Sequence, residues 1–518
     1  MTTHVVARRA RDLIFVCLAL LAGCAQLPEH PDLPASSAVS VGSDAALDRM
    51  FSAAEIQHSG ASGFRLVVEG VEAFVTRMQS AHLAERSIDV QTYIWHEDPT
   101  GLMLARQLLQ AADRGVHVRL LLDDLDARAK NAGLAALAAH PNIEVRLFNP
   151  FASRSGGLRM AGEGMMNFGR INRRMHNKSW IADNRVAFVG GRNLGDEYFA
   201  ASDEVNFVDL DFAMVGPVVR DISASFDRFW NSPSSWPIQI LDPRAVNAAA
   251  LEKLRARLDQ SAATARGSHY SQSLRDNDGI RKLTSGEWPL EWASNYRFVS
   301  DDPAKVSMTN KDAARAVVAA AVAPLIQGAQ QSLQVISPYF VPGDQGAAGL
   351  IARVTAGAQV QVLTNSLAAN DVATVHGGYS RHRKILIDGG VQVWELKPTR
   401  KATAKEKSFA GSSGASLHTK AMAVDDRELF VGSYNLDPRS TWLNCEQGVF
   451  VEDAALSAQL SKIFALQATG SRAWRVTDED GKLTWTDDQR SVTSEPSASW
   501  WRRFQAWLAR AFHMDAQL

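Results

Sequence analysis

Between Ser87 and Asp123 the spacing of apolar and polar positions changes twice. "SIDVQTYIW" is rich in β-branched and aromatic residues and predicts a strand; "GLMLARQLLQAADRG" spaces its apolar residues by three and four, as a helix does. "VHVRLLLD" predicts a second strand, completing a β-α-β unit of the kind that builds parallel sheets covered by helices. The order then recurs as "QSLQVISPYF", "GAAGLIARVTAG" and "AQVQVLTN", and "IEVRLFNP" is matched by "VQVWELKP". Earlier, a helix is predicted around "DAALDRMFSAAE", and Phe64 to Leu83 also has helical spacing. The expected fold is therefore α/β. It has two duplicated halves, each a mixed, mostly parallel sheet flanked by helices, packed about a pseudo-two-fold with a shared active site.

The duplication is sharpest in two 18-residue stretches, "HNKSWIADNRVAFVGGRN" from His176 and "HTKAMAVDDRELFVGSYN" from His418, which share eight positions without a gap. Each reads as a hairpin turning at "DNR" or "DDR". The expected register places Asn193 opposite His176 and Asn435 opposite His418. Residues two apart share a strand face, so each hairpin end gathers an imidazole, an ammonium (Lys178, Lys420) and an amide. Gly190-Gly191 and Gly432-Ser433 are expected to let the backbone approach a ligand.

Such a set suits displacement at a phosphodiester. Lys and Asn donate to phosphate oxygens, a neutral imidazole attacks phosphorus, and a second imidazole protonates the leaving alkoxide. One copy supplies half of this chemistry and two copies supply all of it. Asp183 and Asp425 belong to the repeated set, but they fall at hairpin turns, where Asp commonly bonds its local backbone. Metal ligation by His176 and His418 is disfavoured, because a lysine shares the face of each.

His-x-Lys, four residues, Asp, six residues, then Gly-Gly/Ser-x-Asn resembles the phospholipase D superfamily motif, here present twice. Flanking "QTYIWHED", "GGRNLGDEYF", "TNSLAANDVATVHGGYSRHRK" and "GSYNLDPRSTWLNCE" are most similar to bacterial cardiolipin synthases of the subgroup lacking N-terminal transmembrane helices. The resemblance covers about Ser62 to Ala465. It implies His176 as nucleophile and His418 as acid and base, with Lys178, Lys420, Asn193 and Asn435 on the phosphate and Asp183 and Asp425 completing the catalytic set. It also implies an acid after each motif that orients a histidine, and Asp211 in "VDLDFAMVG" and Glu446 in "LNCEQGVF" match those places. The implied reaction is phosphatidyl transfer through a phosphatidyl-histidine, with phosphatidylglycerol and possibly phosphatidylethanolamine as substrates, giving cardiolipin. Hydrolysis to phosphatidic acid through the same residues is the alternative, and a nuclease of the superfamily a more remote one. No metal or organic cofactor is implied.

Composition narrows this little: 46% hydrophobic and 21% charged residues suit a globular chain, and a net charge of −1 offers no general field for nucleic acid. Because both motifs lie in one chain, a monomer is expected. Arg8, Arg9 and Arg11 precede the apolar run "LIFVCLALLAGC", which is short for a membrane span and ends like a bacterial lipobox. Residues 1–23 are thus expected to be a signal peptide and Cys24 to carry lipid, the protein facing the periplasm from the inner or outer membrane. The expected divisions are a tether over 24–60, a first half over 61–242, a surface connection over 243–305, a second half over 306–470 and a tail over 471–518. In the tail, "SWWRRFQAWLARAF" sets Trp500, Phe504, Trp507, Leu508 and Ala511 on one helical face, with Arg502, Arg503 and Arg510 off it or at its flanks. That pattern suggests contact with a membrane surface. The basic runs at Arg170, Arg173 and Arg174 and at Arg381–Lys384 are candidates for steering lipid headgroups or for plain solvated surface.

Overall fold

The protein is described by a computed structural model, in residues 27–127, 131–153, 163, 167–277, 282, 288–308, 316–398 and 417–511. The signal stretch and Cys24 lie outside the described residues.

The first half contributes β1 (Ser62–Val67), β2 (Ser87–Thr92), β3 (His117–Asp123), β4 (Ile143–Phe148), β5 (Ser179–Ala182), β6 (Val186–Gly190) and β7 (Asp211–Val215). Two short strands follow, β8 (Ser235–Pro237) and β9 (Glu291–Ala293). The second half contributes β10 (Tyr296–Ser300), β11 (Ser332–Ile336), β12 (Gln359–Asn365), β13 (Gln392–Leu396), β14 (Ala421–Val424), β15 (Glu428–Gly432) and β16 (Gln447–Glu452). An edge of β17 (Ala473–Glu479), β18 (Lys482–Thr486) and β19 (Ser491–Val492) completes it. The spatial order β4-β3-β2-β5-β6-β7-β1 of the first sheet recurs as β13-β12-β11-β14-β15-β16-β10 in the second. The duplication read from the sequence thus extends through seven strands.

Each sheet is mixed, but parallel pairing is confined to β2-β3-β4 and to β11-β12-β13. The rest is antiparallel, which corrects the expectation of a mostly parallel sheet. The β-α-β pattern occupies only three strands per half, while a tight hairpin and then a longer connection fold β5, β6 and β7 back on one another. Three other expectations change. Phe64–Val67, read as the start of a helix, belongs to β1, and the helix begins at Gly70. The 243–305 segment is no plain surface connection: helix Ala248–Ala265 buries Leu251, Leu254 and Leu258 in the first half's core, and β10 opens the second sheet. Residues 27–43, read as a tether, lie along the first half. There the amide N–H groups of Ser36 and Ala38 donate to Asn231 and Asp227, and Val39 accepts from Asn184.

Three apolar layers result. Helices Gly70–Leu83, Pro99–Asp113 and Ala248–Ala265 cover the outer face of the first sheet, and helices Val317–Gly328, Gly343–Thr355 and Ala373–Asp388 cover the second. Between the sheets lies a third layer shared by both halves, joining Phe64, Val189 and Phe212 to Leu429, Val431 and Val449. Helices Pro217–Trp230 and Ala454–Gln467 fill it, the first also packing on β10 and the second on β1. The halves are therefore one folding body, since parting them would expose this layer to water.

Candidate active site

Both repeated hairpins turn with two consecutive positive φ values, at Asp183 and Asn184 (53° and 54°) and at Asp425 and Asp426 (54° and 51°). Asp and Asn tolerate that region better than other side chains. The observed pairs are Ser179↔Val189 and Ala421↔Val431, one residue off the expected register. A three-residue connection, closed by Arg185 N–H to Ala182 O at 2.9 Å, sets the observed register. The turn aspartates sit at the hairpin end away from the histidines and hold the backbone. Asp183 accepts from the N–H groups of Glu85, Arg86 and Ser87, and Asp425 from those of Gln330, Gln331 and Ser332. The structure therefore separates them from the histidines they were grouped with.

At the other end, the residue before each histidine forms a parallel bridge with the residue before an acid of the other half. Met175 bridges Cys445, and Leu417 bridges Val208. His176 Nδ1 is consequently 2.8 Å from Glu446 Oε2, and His418 Nδ1 is 2.6 Å from Asp209 Oδ2. Each half orients the other half's imidazole. With Nδ1–H donated to the carboxylate, each Nε2 is left for a substrate.

Asp211, expected in this role, is engaged elsewhere: its carboxylate pairs with Arg77 at 2.8 Å and Arg192 at 3.2 Å, all three buried. The residue equivalent to Arg192 in the second hairpin is Tyr434, and Gly448 stands where Asp211 does, each opposite the strand's last glycine. Asp211 thus neutralises arginines that the second half lacks, and counting back two residues from it, as from Gly448 to Glu446, reaches Asp209. The glycines also serve a different end. A Cβ on Gly191 would lie 2.1 Å from Asp209 Oδ1, and one on Gly190 2.3 Å from Asp211 Oδ1. The room is taken by the acids, not by a ligand. In the second half Ser433 replaces Gly191, and its hydroxyl donates to Glu446 Oε2 at 2.5 Å.

The two histidines line one cavity of about 400 Å³ with Asn193, Asn435, Tyr93 and Tyr198. Tyr93 packs edge-on against His176, while Tyr198 and Phe207 flank His418. Lys178 and Lys420 are buried beneath, their Nζ atoms donating to the carbonyls of His176 and His418. Asn193 donates to Tyr198 Oη and accepts from Ile94 N–H, whereas Asn435 Oδ1 is buried without a hydrogen-bond partner.

Burial dominates the electrostatics. It lowers Lys178 to about 7 and Lys420 to about 8, despite nearby acids. His176 is held well below its usual value by burial and then by Lys178 and Lys420. His418 is also lowered by burial and by Lys420, but Asp209 pulls it back up. Asp209, raised by burial, is brought down to about 2 by His418, Lys420 and Arg192, whereas burial pushes Glu446 up against the pull of Lys178. Both imidazoles are thus held below their usual value, His176 further than His418, which Asp209 partly restores.

Of the basic runs, Arg173, Arg174 and Arg383 are buried, Arg170 and Arg381 half-buried and Lys384 exposed. Arg174 donates to Asp123 and the Asn149 carbonyl, and Arg173 donates to the carbonyls of Lys305 and Trp442 in the other half. Arg383 is buried between Glu395 and Glu495, and Lys384 pairs with Asp388. Cys445 is buried, its thiol pushed well up by burial.

Residues 75–230 and 322–467 match the family described as "Cardiolipin synthase, PLD-like domain". The chain belongs to that family. It is 41% identical over 461 residues to cardiolipin synthase C of Escherichia coli (strain K12), across 88% of this chain and 95% of that protein. It is 25% identical over 402 residues to cardiolipin synthase A of Pseudomonas syringae pv. syringae (strain B728a), across 77% and 67%. The crystal structure of phosphatidylserine synthase from Haemophilus influenzae Rd KW20 shares the fold. Its TM-score is 0.56 at 13% identity, covering 90% of this chain and all of that one. By this homology the chain is a phosphatidyltransferase of the phospholipase D superfamily.

Proposed function

We propose that the protein makes cardiolipin by transferring a phosphatidyl group between two phospholipids through a covalent histidine intermediate. The observation that carries this is the pair of histidine–acid contacts crossing between the halves into one cavity. Neutral His176 attacks phosphorus through Nε2, and the phosphorus–oxygen bond to the donor headgroup breaks. His418, whose cationic form Asp209 supports, delivers the proton to the departing glycerol or ethanolamine. The glycerol hydroxyl of a phosphatidylglycerol then attacks phosphorus and gives its proton to His418. The phosphorus–nitrogen bond breaks, releasing cardiolipin and restoring His176. Lys178, Lys420 and the two asparagines hold the phosphate charge throughout. Both halves lie in one chain, which supports a monomeric enzyme.

Purified enzyme given phosphatidylglycerol bilayers, with and without phosphatidylethanolamine, tests this reading. Cardiolipin is the expected product, and phosphatidic acid as sole product would make the enzyme a hydrolase.

The same reading places the enzyme on the periplasmic side of the cell envelope, acylated at Cys24. Its support is the arginine-flanked apolar run ending in the lipobox, with the diacyl-plus-acyl modification typical of bacterial lipoproteins holding the protein more firmly than one chain would. Cys24→Ser is expected to lose the N-terminal lipid by mass spectrometry. An unmodified wild-type Cys24 would overturn the assignment.

A further inference from the structure

Helix Trp500–Ala511 divides its surface unusually. Its small residues face inward: Ala506 and Ala509 are buried against helix Ala373–Asp388. At Gly377 the two helices meet so closely that a Cβ would lie 2.5 Å from Ala506 O. Arg502 Nε donates to Leu367 O and Arg503 Nη2 to Glu495 O, fixing the helix's rotation. Its large residues face out. Trp500 is 74% exposed, Trp507 59% and Leu508 38%. Trp500, Phe504 and Trp507 stack in file, with successive ring centroids 5.6 and 6.0 Å apart.

A soluble protein has no reason within its own fold to spend small residues on packing and tryptophans on water. Its composition selects an occupant for this face. The helix carries Arg502, Arg503 and Arg510 and no acidic residue, so it complements a negatively charged surface. At 12 residues it is too short to cross a bilayer but suited to lying in the headgroup layer, where indole rings sit well. Position adds a second argument. Ala506 packs with Leu367 and Ala373, and the segment between these two contains Asp371 and Val372, which line the catalytic cavity.

We infer that the Trp500–Trp507 face is a membrane-docking surface that seats the cavity mouth on a bilayer containing anionic phospholipid. The cavity then receives the phosphate while the acyl chains stay in the bilayer. The inference deepens the phosphatidyl-transfer reading and rests on it.

The test uses the mature chain, residues 24–518, expressed without its signal peptide and carrying Cys24→Ser, so that neither the apolar run nor N-terminal lipid masks the helix. Flotation with phosphatidylcholine vesicles, with and without phosphatidylglycerol, compares this protein with versions also carrying Trp500→Ser and Trp507→Ser, or Arg503→Gln and Arg510→Gln. The parent is expected to float with the anionic vesicles and the tryptophan variant to lose binding by about tenfold or more. The arginine variant should lose the preference for phosphatidylglycerol. Turnover of a monomeric short-chain phosphatidyl donor should be equal in all three, because no substituted residue touches the cavity. Equal flotation of parent and tryptophan variant would overturn the inference. So would a parent dimer that the tryptophan substitutions convert to monomer without changing vesicle binding, which would make the face a protein contact. Absence of short-chain turnover in every version would instead strike the phosphatidyl-transfer reading and leave the flotation result to stand.

Discussion

Glu446 accepts the Nδ1–H of His176 at 2.8 Å, although 270 residues and the boundary between the two halves separate them. Asp209 and His418 make the mirror contact, so neither half owns a complete imidazole–acid pair. Glu446→Gln and Asp209→Asn should therefore each lower kcat by roughly 10²–10⁴ while the chain stays folded, since both amides preserve shape but lose the charge that orients and supports an imidazole. Asp211→Asn should behave differently. It leaves Arg77 and Arg192 buried without their carboxylate, at about 3–5 kcal/mol of stability, and kcat per folded molecule should change much less. Chemical denaturation and active-site-normalised kinetics on the three variants separate orienting acids from a packing acid.

The two histidines should be unequal as well as indispensable. His176→Ala and His418→Ala should each reduce phosphatidyl transfer to below about a thousandth, because they serve different steps of one cycle. Acid-quenched wild-type enzyme with labelled donor should carry the phosphatidyl group on His176, the imidazole that burial and the lysines keep neutral. Label recovered on His418 alone would reverse the roles.

An alkaline loss of activity follows from the buried lysines. In the free enzyme Lys178 titrates at about 7 and Lys420 at about 8, so raising the pH through this window removes the charges that attract a phosphate. kcat/KM, which reports the free enzyme, should fall above about pH 7–8. kcat should fall less over the same range, since bound phosphate favours the charged lysines and raises their pKa values. Lys178→Arg, which keeps its charge, should carry the lower step of the kcat/KM profile to higher pH even if turnover is reduced. A kcat/KM profile flat to pH 9 in the wild type would contradict this account.

What the sequence disclosed follows from what each signal encodes. Eight identities at fixed spacing announced the duplication, because hairpin geometry and phosphate chemistry constrain the same short stretch twice. The crossing of acid and histidine between halves could not be read, since it arises from how two sheets pack and leaves no local pattern. Asp209 and Asp211 are two residues apart in "VDLDFAMVG", so alternation alone cannot rank them. The difference lay in Arg192 against Tyr434, an extra buried charge demanding an extra acid. Arg173 and Arg174 could be read only as headgroup-steering or solvated residues, because their partners lie on distant segments, among them Asp123, Asn149, Lys305 and Trp442.

The hairpin-turn aspartates, identical in the two motifs, should prove structural. Asp425 accepts three consecutive backbone N–H groups at the start of β11, and Asp183 does the same at β2. Removing either acceptor leaves those donors to water or to nothing, a loss of about 1–3 kcal/mol. Asp183→Ala should cost more than Asp425→Ala, because Asp183 is buried and Asp425 only half-buried. The pH dependence has a defined sign for Asp425. Burial raises its carboxyl, and the N–H groups of Ser332, Gln331 and Gln330 outweigh this, leaving it below the usual carboxylate value. The folded state therefore holds its proton less tightly than the unfolded chain. The stabilisation is complete above the unfolded value near pH 4 and is lost as pH falls through the folded value. Urea denaturation of wild type and Asp425→Ala at pH 7 and pH 3 should show the difference between them narrowing at the lower pH. At pH 7 the folded fraction of each variant should keep kcat within a few-fold of wild type. A loss comparable to that of His176→Ala, in protein shown to be folded, would return these aspartates to the chemistry.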